Sequence, residues 1–354
     1  MDFKKELLVE VGKINEVISN FLDGREFTKE DDFVVHYYNT IKKYILSGGK
    51  RLRPFLVIQA YKGLAENPTD DIYKPSLCVE LLHNASLIHD DIIDQDDTRR
   101  GNPSFHYIFQ NYYRSHNYQF ASPRHFGMTM GILGGDSTFF IGLESLQSSF
   151  PAALNEKAIA LYCRAFHEIC DGVLMEMNFV QLPDVNEKQY MKMISLKTAA
   201  LIEKALLIGG TYAKASQDQM GLLSSYAINL GNAFQIKDDL LGSFGDESKT
   251  GKPSDGDIKE GKKTLLLLKS IEKASPDELG FLKQKLGAKD MTENDVEKVR
   301  EIFTSSGAVD YSENMIEHYS TEAIKAINSL GDSLKPAQAS IFKALVDFNL
   351  HREK

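Results

Sequence analysis

A chain of 354 residues with 42% apolar side chains carries enough material for a large core. Its formal net charge of −9 excludes a broad basic face for nucleic acid, so any polyanion it binds must be gripped locally. The three cysteines, Cys78, Cys163 and Cys170, have neither metal-ligand nor disulfide-framework spacing, which suits a reducing compartment and predicts three core residues.

The chain opens with Lys4, Lys5 and Glu6 and has no uninterrupted apolar segment of the kind that leads a secreted protein, so a cytoplasmic protein is expected. Leu7, Leu8, Val11, Ile14, Val17, Ile18 and Phe21 then recur at intervals of three and four, which predicts an amphipathic first helix. Gly48-Gly49-Lys50-Arg51-Leu52-Arg53-Pro54 places three cations beside two flexible glycines. It is either a phosphate grip or a solvated run. An apolar helical stretch from Leu77 to Ile88 follows and runs into Asp90-Asp91-Ile92-Ile93-Asp94-Gln95-Asp96-Asp97.

On a helix Asp90 and Asp94 share a face, with Asp97 near it if the helix continues. Carboxylates held so close repel one another. A hard cation such as Mg²⁺ would relieve them, since it takes oxygen ligands from one or two carboxylates and from substrate phosphates. A solvated acidic helix end is the plainer alternative. The break from Gln95 to Pro103 brings Arg99-Arg100, and the segment Asn111 to Arg124, rich in Tyr, Asn, Ser and His, is an excursion between helices with no assigned role.

No run reaches the ~20 apolar residues of a membrane span, and the nearest, Met128 to Leu143, is interrupted by Asp136. Further on, Gln235-Ile236-Lys237-Asp238-Asp239-Leu240-Leu241-Gly242 closes another apolar helical run. Two Asp-Asp clusters at helix ends could together hold a metal-bridged diphosphate, as helical bundles often do. Ser243 to Lys263 contains four glycines besides Pro253 and five lysines, a composition for a mobile phosphate-gripping lid or a solvated loop. Ser275-Pro276-Asp277-Glu278 reads as a capping box with proline at the first helical position. No hairpin signal between strand-like runs occurs, so the fold class expected is all-α, as one domain over residues 1–354.

Taken in order, the Gly48–Pro54 run, Leu87-Ile88-His89-Asp90-Asp91-Ile92-Ile93-Asp94 with Arg99-Arg100-Gly101, Lys197-Thr198, Gln235–Asp239, Gly251-Lys252 and Lys262-Lys263-Thr264 resemble the trans-isoprenyl diphosphate synthases, with archaeal-type geranylgeranyl diphosphate synthases the nearest pattern. That resemblance implies a single bundle of long antiparallel helices around a central cavity, usually homodimeric. It also implies a Mg²⁺-dependent prenyltransferase that joins isopentenyl diphosphate to an allylic diphosphate (dimethylallyl, geranyl or farnesyl).

By position, Asp90, Asp91, Asp94, Asp238 and Asp239 resemble the family's metal-holding aspartates. Arg99, Lys197, Thr198, Gln235, Lys252 and Lys262 resemble its grip on the allylic diphosphate, with Lys197 among the catalytic residues. Lys50, Arg53, His83 and Arg100 resemble its isopentenyl diphosphate pocket, over which Arg352-Glu353-Lys354 resembles a closing basic tail. His83 lies seven residues before Asp90 and therefore on its face, which favours binding over a plain core histidine.

Two departures stand out. Gly242 replaces the third aspartate usual in the second motif, as it does in archaeal-type members, and Gly172-Val173-Leu174-Met175-Glu176 replaces the usual Gly-Gln-x-x-Asp. In the family, bulky residues four and five positions before the first motif stop elongation early. Here those are the small Ser86 and Ala85, so a product of twenty carbons or more is expected, geranylgeranyl diphosphate first, with Leu82 and Val79 as deeper floors. A farnesyl or a longer-chain synthase is the alternative within the class. A class I terpene cyclase would need no second diphosphate pocket, and a silent partner subunit would have lost more aspartates.

Overall fold

The computed structural model describes residues 3–24, 31–245 and 255–352, which are helical nearly throughout. They group into two compact units, Met1–Cys163 with Lys204–Ala215, and Arg164–Glu203 with Ser216–Lys354. No helix among the described residues is long and apolar enough to cross a membrane.

The first unit contains α1 (Phe3–Asp23), α2 (Asp32–Leu46), α3 (Leu52–Leu64), α4 (Tyr73–Ile93), α5 (Phe105–Ser115), α6 (Pro123–Ser145) and the start of α7 (Ala152–Gln181). The periodicity of α1 is realised as predicted, with Ile14, Ile18 and Leu22 buried on one stripe. Helix α4 packs against α1, α3, α5 and α6, which is why its sequence is apolar on nearly every side. The glycines of α6, at 127, 131, 134, 135 and 142, are buried against α4, α5 and α7 and let the backbones approach closely.

Between α4 and α5 the all-helical expectation has one small exception. Strands β1 (Thr98–Arg99) and β2 (Asn102–Pro103) pair antiparallel, with Arg99 opposite Asn102. Arg100 and Gly101 both have positive φ, 53° and 74°, as a tight two-residue hairpin turn requires. The hairpin sends the neighbouring Arg99 and Arg100 to different partners. Helix α4 also stops earlier than the acidic run suggests: Asp94 caps it and Gln95 turns left-handed at φ 59°, so Asp97 leaves the face of Asp90 and Asp94. Of the three expected core cysteines only Cys78 is buried; Cys163 is exposed and Cys170 half-exposed, because α7 turns them outward.

The second unit contains the rest of α7, α8 (Glu187–Ile194), a π turn (Ser195–Ala199), the start of α9 (Ala200–Tyr212), α10 (Gln217–Phe244), α11 (Gly256–Lys259), α12 (Leu265–Lys273), α13 (Pro276–Lys285), α14 (Glu293–Ser305), α15 (Ala308–Ser329) and α16 (Pro336–His351). The end of α9 belongs to the first unit. Leu265, Leu266, Leu267 and Leu268 point to every side of α12 and are all buried. That helix is accordingly covered by α8, α10, α14 and α15, each leucine adding about 1.5–3 kcal/mol by leaving water. Capping boxes start α8, α10, α13 and α14, including the predicted Ser275–Glu278 box with Pro276.

Candidate active site

In the first unit the Gly48–Arg51 loop and the first turn of α3 divide three cations. Gly48 and Gly49 take positive φ, as does Arg51 at 48°, and Arg51 turns inward. Its guanidinium donates to Glu80 Oε1 at 2.6 Å, Asn15 Oδ1 at 2.8 Å and the Ile45 carbonyl at 2.6 Å. A buried pair of this kind stabilises little over an apolar substitute but fixes geometry; the neighbouring Lys50 is exposed and Arg53 half-buried.

Arg100 closes on the same loop, donating to the Gly48 carbonyl at 2.7 Å. His83 lies among these arginines. Burial first, then the charges of Arg53 and Arg100, push its pKa well below the ordinary histidine value, so it is a neutral hydrogen-bonding group. Arg53, His83 and Arg100, with Lys50 beside them in sequence, are thus brought together.

The first acidic motif splits by role. Asp90 is half-buried and Asp94 exposed, one turn apart at the end of α4. Asp91 is fully buried: it accepts from Arg99 Nε at 2.6 Å, from a second Arg99 nitrogen, and from the Tyr44 hydroxyl at 3.1 Å. Burial raises its pKa and Arg99 opposes the rise. The sequence pattern groups Asp91 with the metal-holding aspartates and Arg99 with the diphosphate grip; the structure pairs them with each other. Tyr44 was not foreseen and has no sequence signal near the motif.

The chain-length candidates separate as well. At 100° per residue Ser86 lines up with His83 and Asp90, and it is half-buried. Ala85 is fully buried in the row of Leu81 and Ile92, both of which meet glycines of α6, and Leu82 and Val79 are buried too.

In the second unit one pocket is lined by Glu176, Tyr190, Lys197, Thr198, Gln235, Asp239, Lys262, Lys263 and Thr264 among others. It gathers four predicted diphosphate residues and one predicted metal residue. Lys197 and Thr198 belong to the π turn, a local widening common at functional sites. Gly172, the position shared with the Gly-Gln-x-x-Asp pattern, is held to glycine by packing: a Cβ there would lie 2.4 Å from the Lys197 nitrogen, so only glycine lets α7 pass. Glu176, one turn further on, takes the place of the usual aspartate and pairs with the Lys197 ammonium.

Thr198 Oγ1 donates to Gln235 Oε1 at 2.6 Å, Gln235 Nε2 donates to Asp239 Oδ1 at 2.8 Å, and the Tyr190 hydroxyl donates to Asp239 Oδ2 at 2.6 Å. Burial, reinforced by the charge of Asp257, pushes the Asp239 pKa up to about 7. Asp238 pairs with Arg352 at 2.5 Å, and Arg352 also donates to the Phe234 carbonyl at 2.8 Å and stacks 3.8 Å over the Phe234 ring. The C-terminal arginine expected over the isopentenyl pocket therefore engages the second aspartate motif, because the apolar face of α16 returns the chain to α10. Lys252 lies outside the described residues.

Among the described residues no group of three or more His, Cys, Asp or Glu side chains is gathered as a metal cage. The donors present are carboxylates, in ones and twos. Such a set fits a hard divalent cation that draws its other oxygens from water and substrate phosphates, as Mg²⁺ does.

The sequence profile of the polyprenyl synthetase family matches residues 35–303, and the chain belongs to that family. It is 34% identical to the geranylgeranyl diphosphate synthase of Saccharolobus solfataricus, over 97% of this chain and 96% of that protein. It is 32% identical to the geranylfarnesyl diphosphate synthase of Aeropyrum pernix, over 88% of this chain and 92% of that one. In structure it is similar to the geranylgeranyl pyrophosphate synthase from Corynebacterium glutamicum complexed with isoprenyl diphosphate and magnesium, at a TM-score of 0.89 and 27% identity, covering 99% of this chain and 100% of that one. These likenesses bear out the all-α fold and the family.

Proposed function

We propose that this protein is a trans-prenyltransferase that condenses isopentenyl diphosphate with an allylic diphosphate, giving geranylgeranyl diphosphate as its main product. The observation that carries this reading is the convergence of Lys197, Thr198, Gln235, Asp239 and Lys262 on one pocket, a set of cations and hydrogen-bonding groups fitted to a diphosphate. The second grip, at Lys50, Arg53, His83 and Arg100, supplies three cations and a neutral imidazole and suits isopentenyl diphosphate, which must be held intact.

Mg²⁺ bound at Asp90 and Asp94 and at Asp238 and Asp239 would neutralise the leaving diphosphate and favour ionisation of its carbon–oxygen bond. Lys197 and Lys262 add positive charge where the diphosphate gains negative charge, and Gln235 orients the Asp239 carboxylate. The alkene of isopentenyl diphosphate attacks the allylic cation, and a proton is lost to the departing diphosphate. No side-chain nucleophile is needed.

Purified protein incubated with Mg²⁺, isopentenyl diphosphate and each of dimethylallyl, geranyl and farnesyl diphosphate tests the proposal by product mass. A twenty-carbon diphosphate is expected; no incorporation with any starter would refute it. Relatives of both twenty and twenty-five carbons exist, so chain length needs its own test. Because Ser86 shares the face of Asp90 and Ala85 turns toward α6, Ser86→Phe is expected to shift the product to fifteen carbons or fewer, and Ala85→Phe to reduce stability instead. Equal chain lengths from Ser86→Phe and wild type would place the floor elsewhere.

The neutral state of His83 has a pH consequence. Its folded pKa lies below the unfolded value of 6.5, so as pH falls below that value the unfolded chain takes up a proton the folded histidine refuses. Stability from this group is complete at neutral pH and is lost on acidification. The KM for isopentenyl diphosphate should show no break from His83 between about pH 6.5 and 8, and a break in wild type absent from His83→Gln would contradict the assignment.

We also propose a homodimer, supported by the exposed apolar residues Met128, Ile132, Leu133 and Phe140 of α6, which a second copy would cover. Light scattering of the purified chain decides it.

A further inference from the structure

Between α8 and α9 the residues Ser195–Ala199 leave the α-helical hydrogen-bond pattern. The Ala200 amide donates to the Ser195 carbonyl, five residues back instead of four, which makes this a π turn. A π turn holds more residues than the 3.6 of an α-helical turn, so successive side chains fan out over a smaller angle. Lys197 and Thr198 are neighbours in sequence and both line the pocket. The wider turn brings these two adjacent side chains toward one ligand.

π turns are rare because the α pattern competes with them at every residue, so this one needs holding. Helix α10 holds it at three places. Gly231 lies against Ala199: a Cβ on Gly231 would be 2.4 Å from the Ala199 Cβ and 2.5 Å from its Cα, atoms that no side-chain rotation moves. Ser195 Oγ donates to Asn232 Oδ1 at 2.9 Å, and Asn232 is buried. Thr198 Oγ1 donates to Gln235 Oε1, one helical turn along α10 from Gly231. From the other flank, Gly172 of α7 bears on the Lys197 main chain and Glu176 pairs with its ammonium. The turn is therefore seated on the same helix that carries Asp238 and Asp239. Neither Ser195 nor Asn232 lines the pocket, so any effect they have on a ligand passes through the turn.

We propose that Ser195 and Asn232 are positioning residues for the diphosphate: their hydrogen bond locks the π turn onto α10 and so sets Lys197 and Thr198 toward the ligand. This deepens the diphosphate reading of the pocket and rests on it. Without the lock the turn is free to relax toward the α pattern, which rotates Lys197 away from the pocket.

The experiment uses the full-length chain as wild type, Asn232→Ala, Ser195→Ala, the Ser195→Ala/Asn232→Ala double variant and Ser195→Thr. Binding of inorganic diphosphate in Mg²⁺ is read by calorimetry, alongside KM for each substrate. Each single alanine variant should bind diphosphate about tenfold more weakly, the effect of one buried hydrogen bond. KM for the allylic substrate should rise in parallel and KM for isopentenyl diphosphate should stay put. The double variant should be no more than about twofold weaker than either single one, since all three lack the same bond. Ser195→Thr keeps the hydroxyl donor and should bind within about threefold of wild type.

A second background separates positioning from general damage. In Lys197→Ala, adding Asn232→Ala should weaken diphosphate by less than about threefold, because the ammonium that the lock orients is already gone. The same tenfold loss in that background would overturn the inference, as would wild-type diphosphate affinity in Asn232→Ala. Additive losses in the double variant, or an isopentenyl diphosphate KM that rises as much as the allylic one, would overturn it too. Failure of the wild type itself to bind diphosphate would instead refute the reading of the pocket, and the positioning role with it.

Discussion

Alanine at Asp90 or at Asp94 is expected to lower kcat by about a thousandfold, with the fold intact. The two carboxylates stand one turn apart at the end of α4, where their partial exposure leaves them accessible to a cation. A metal held there acts on charge that develops only as the allylic bond breaks, so its loss falls on the transition state more than on binding. A thousandfold corresponds to about 4 kcal/mol of barrier, a reasonable loss for one metal-ion contact. The Mg²⁺ concentration giving half-maximal rate should rise in both variants.

Asp91→Ala should behave differently. It removes the anion that neutralises the mostly buried Arg99 and accepts from Tyr44, and an uncompensated buried charge costs about 3–5 kcal/mol. The thermal midpoint should drop, which it should not for Asp90→Ala. Near-normal turnover in Asp90→Ala or Asp94→Ala would remove the metal site from the first motif.

The contrast between Asp91 and its neighbours marks the boundary of what the sequence holds. Local spacing is enough to predict that Asp90 and Asp94 share a face, that α1 is amphipathic, and that Ser275 opens a helix, since each depends on a single turn of backbone. It cannot say that Asp91 meets Arg99, because that contact needs the hairpin turn at Arg100-Gly101, whose two positive φ values are not announced by a familiar turn pair. The same limit hides Tyr190 and Asp257, which reach Asp239 and Gly242 from other elements of the second unit.

Glu176 was the legible exception. A glutamate there in place of the family's aspartate is visible in sequence alone, but its partner, the Lys197 ammonium, is set only in the fold. The apolar run of α12 carried a different ambiguity. Four consecutive leucines have no preferred face, so their burial on all sides follows from the helices around them and not from any periodicity.

Alanine at Lys197 is expected to reduce kcat by about 10²–10³, the usual loss when one preorganised donor to a developing anion is removed. The structure gives this lysine an unusual setting. Its backbone is widened into a π turn and pressed against Gly172, while its ammonium pairs with Glu176. The pair is only partly buried, with side-chain exposures of 32% for Lys197 and 20% for Glu176, so it contributes little to stability. Its effect is instead to keep the ammonium extended along the pocket until a stronger anion arrives.

Diphosphate, with its higher charge, should then draw the lysine from Glu176. On this argument Lys197→Ala loses rate and allylic affinity but keeps its thermal midpoint, and isopentenyl diphosphate KM is unchanged. Glu176→Gln should bind the allylic substrate more tightly, since its lysine no longer has to leave a carboxylate, with kcat unchanged if the tighter complex holds the ground state as firmly as the transition state. A Lys197→Ala enzyme retaining a third or more of wild-type kcat would mean that the leaving diphosphate is neutralised elsewhere, and that this pocket serves some other part of the substrate.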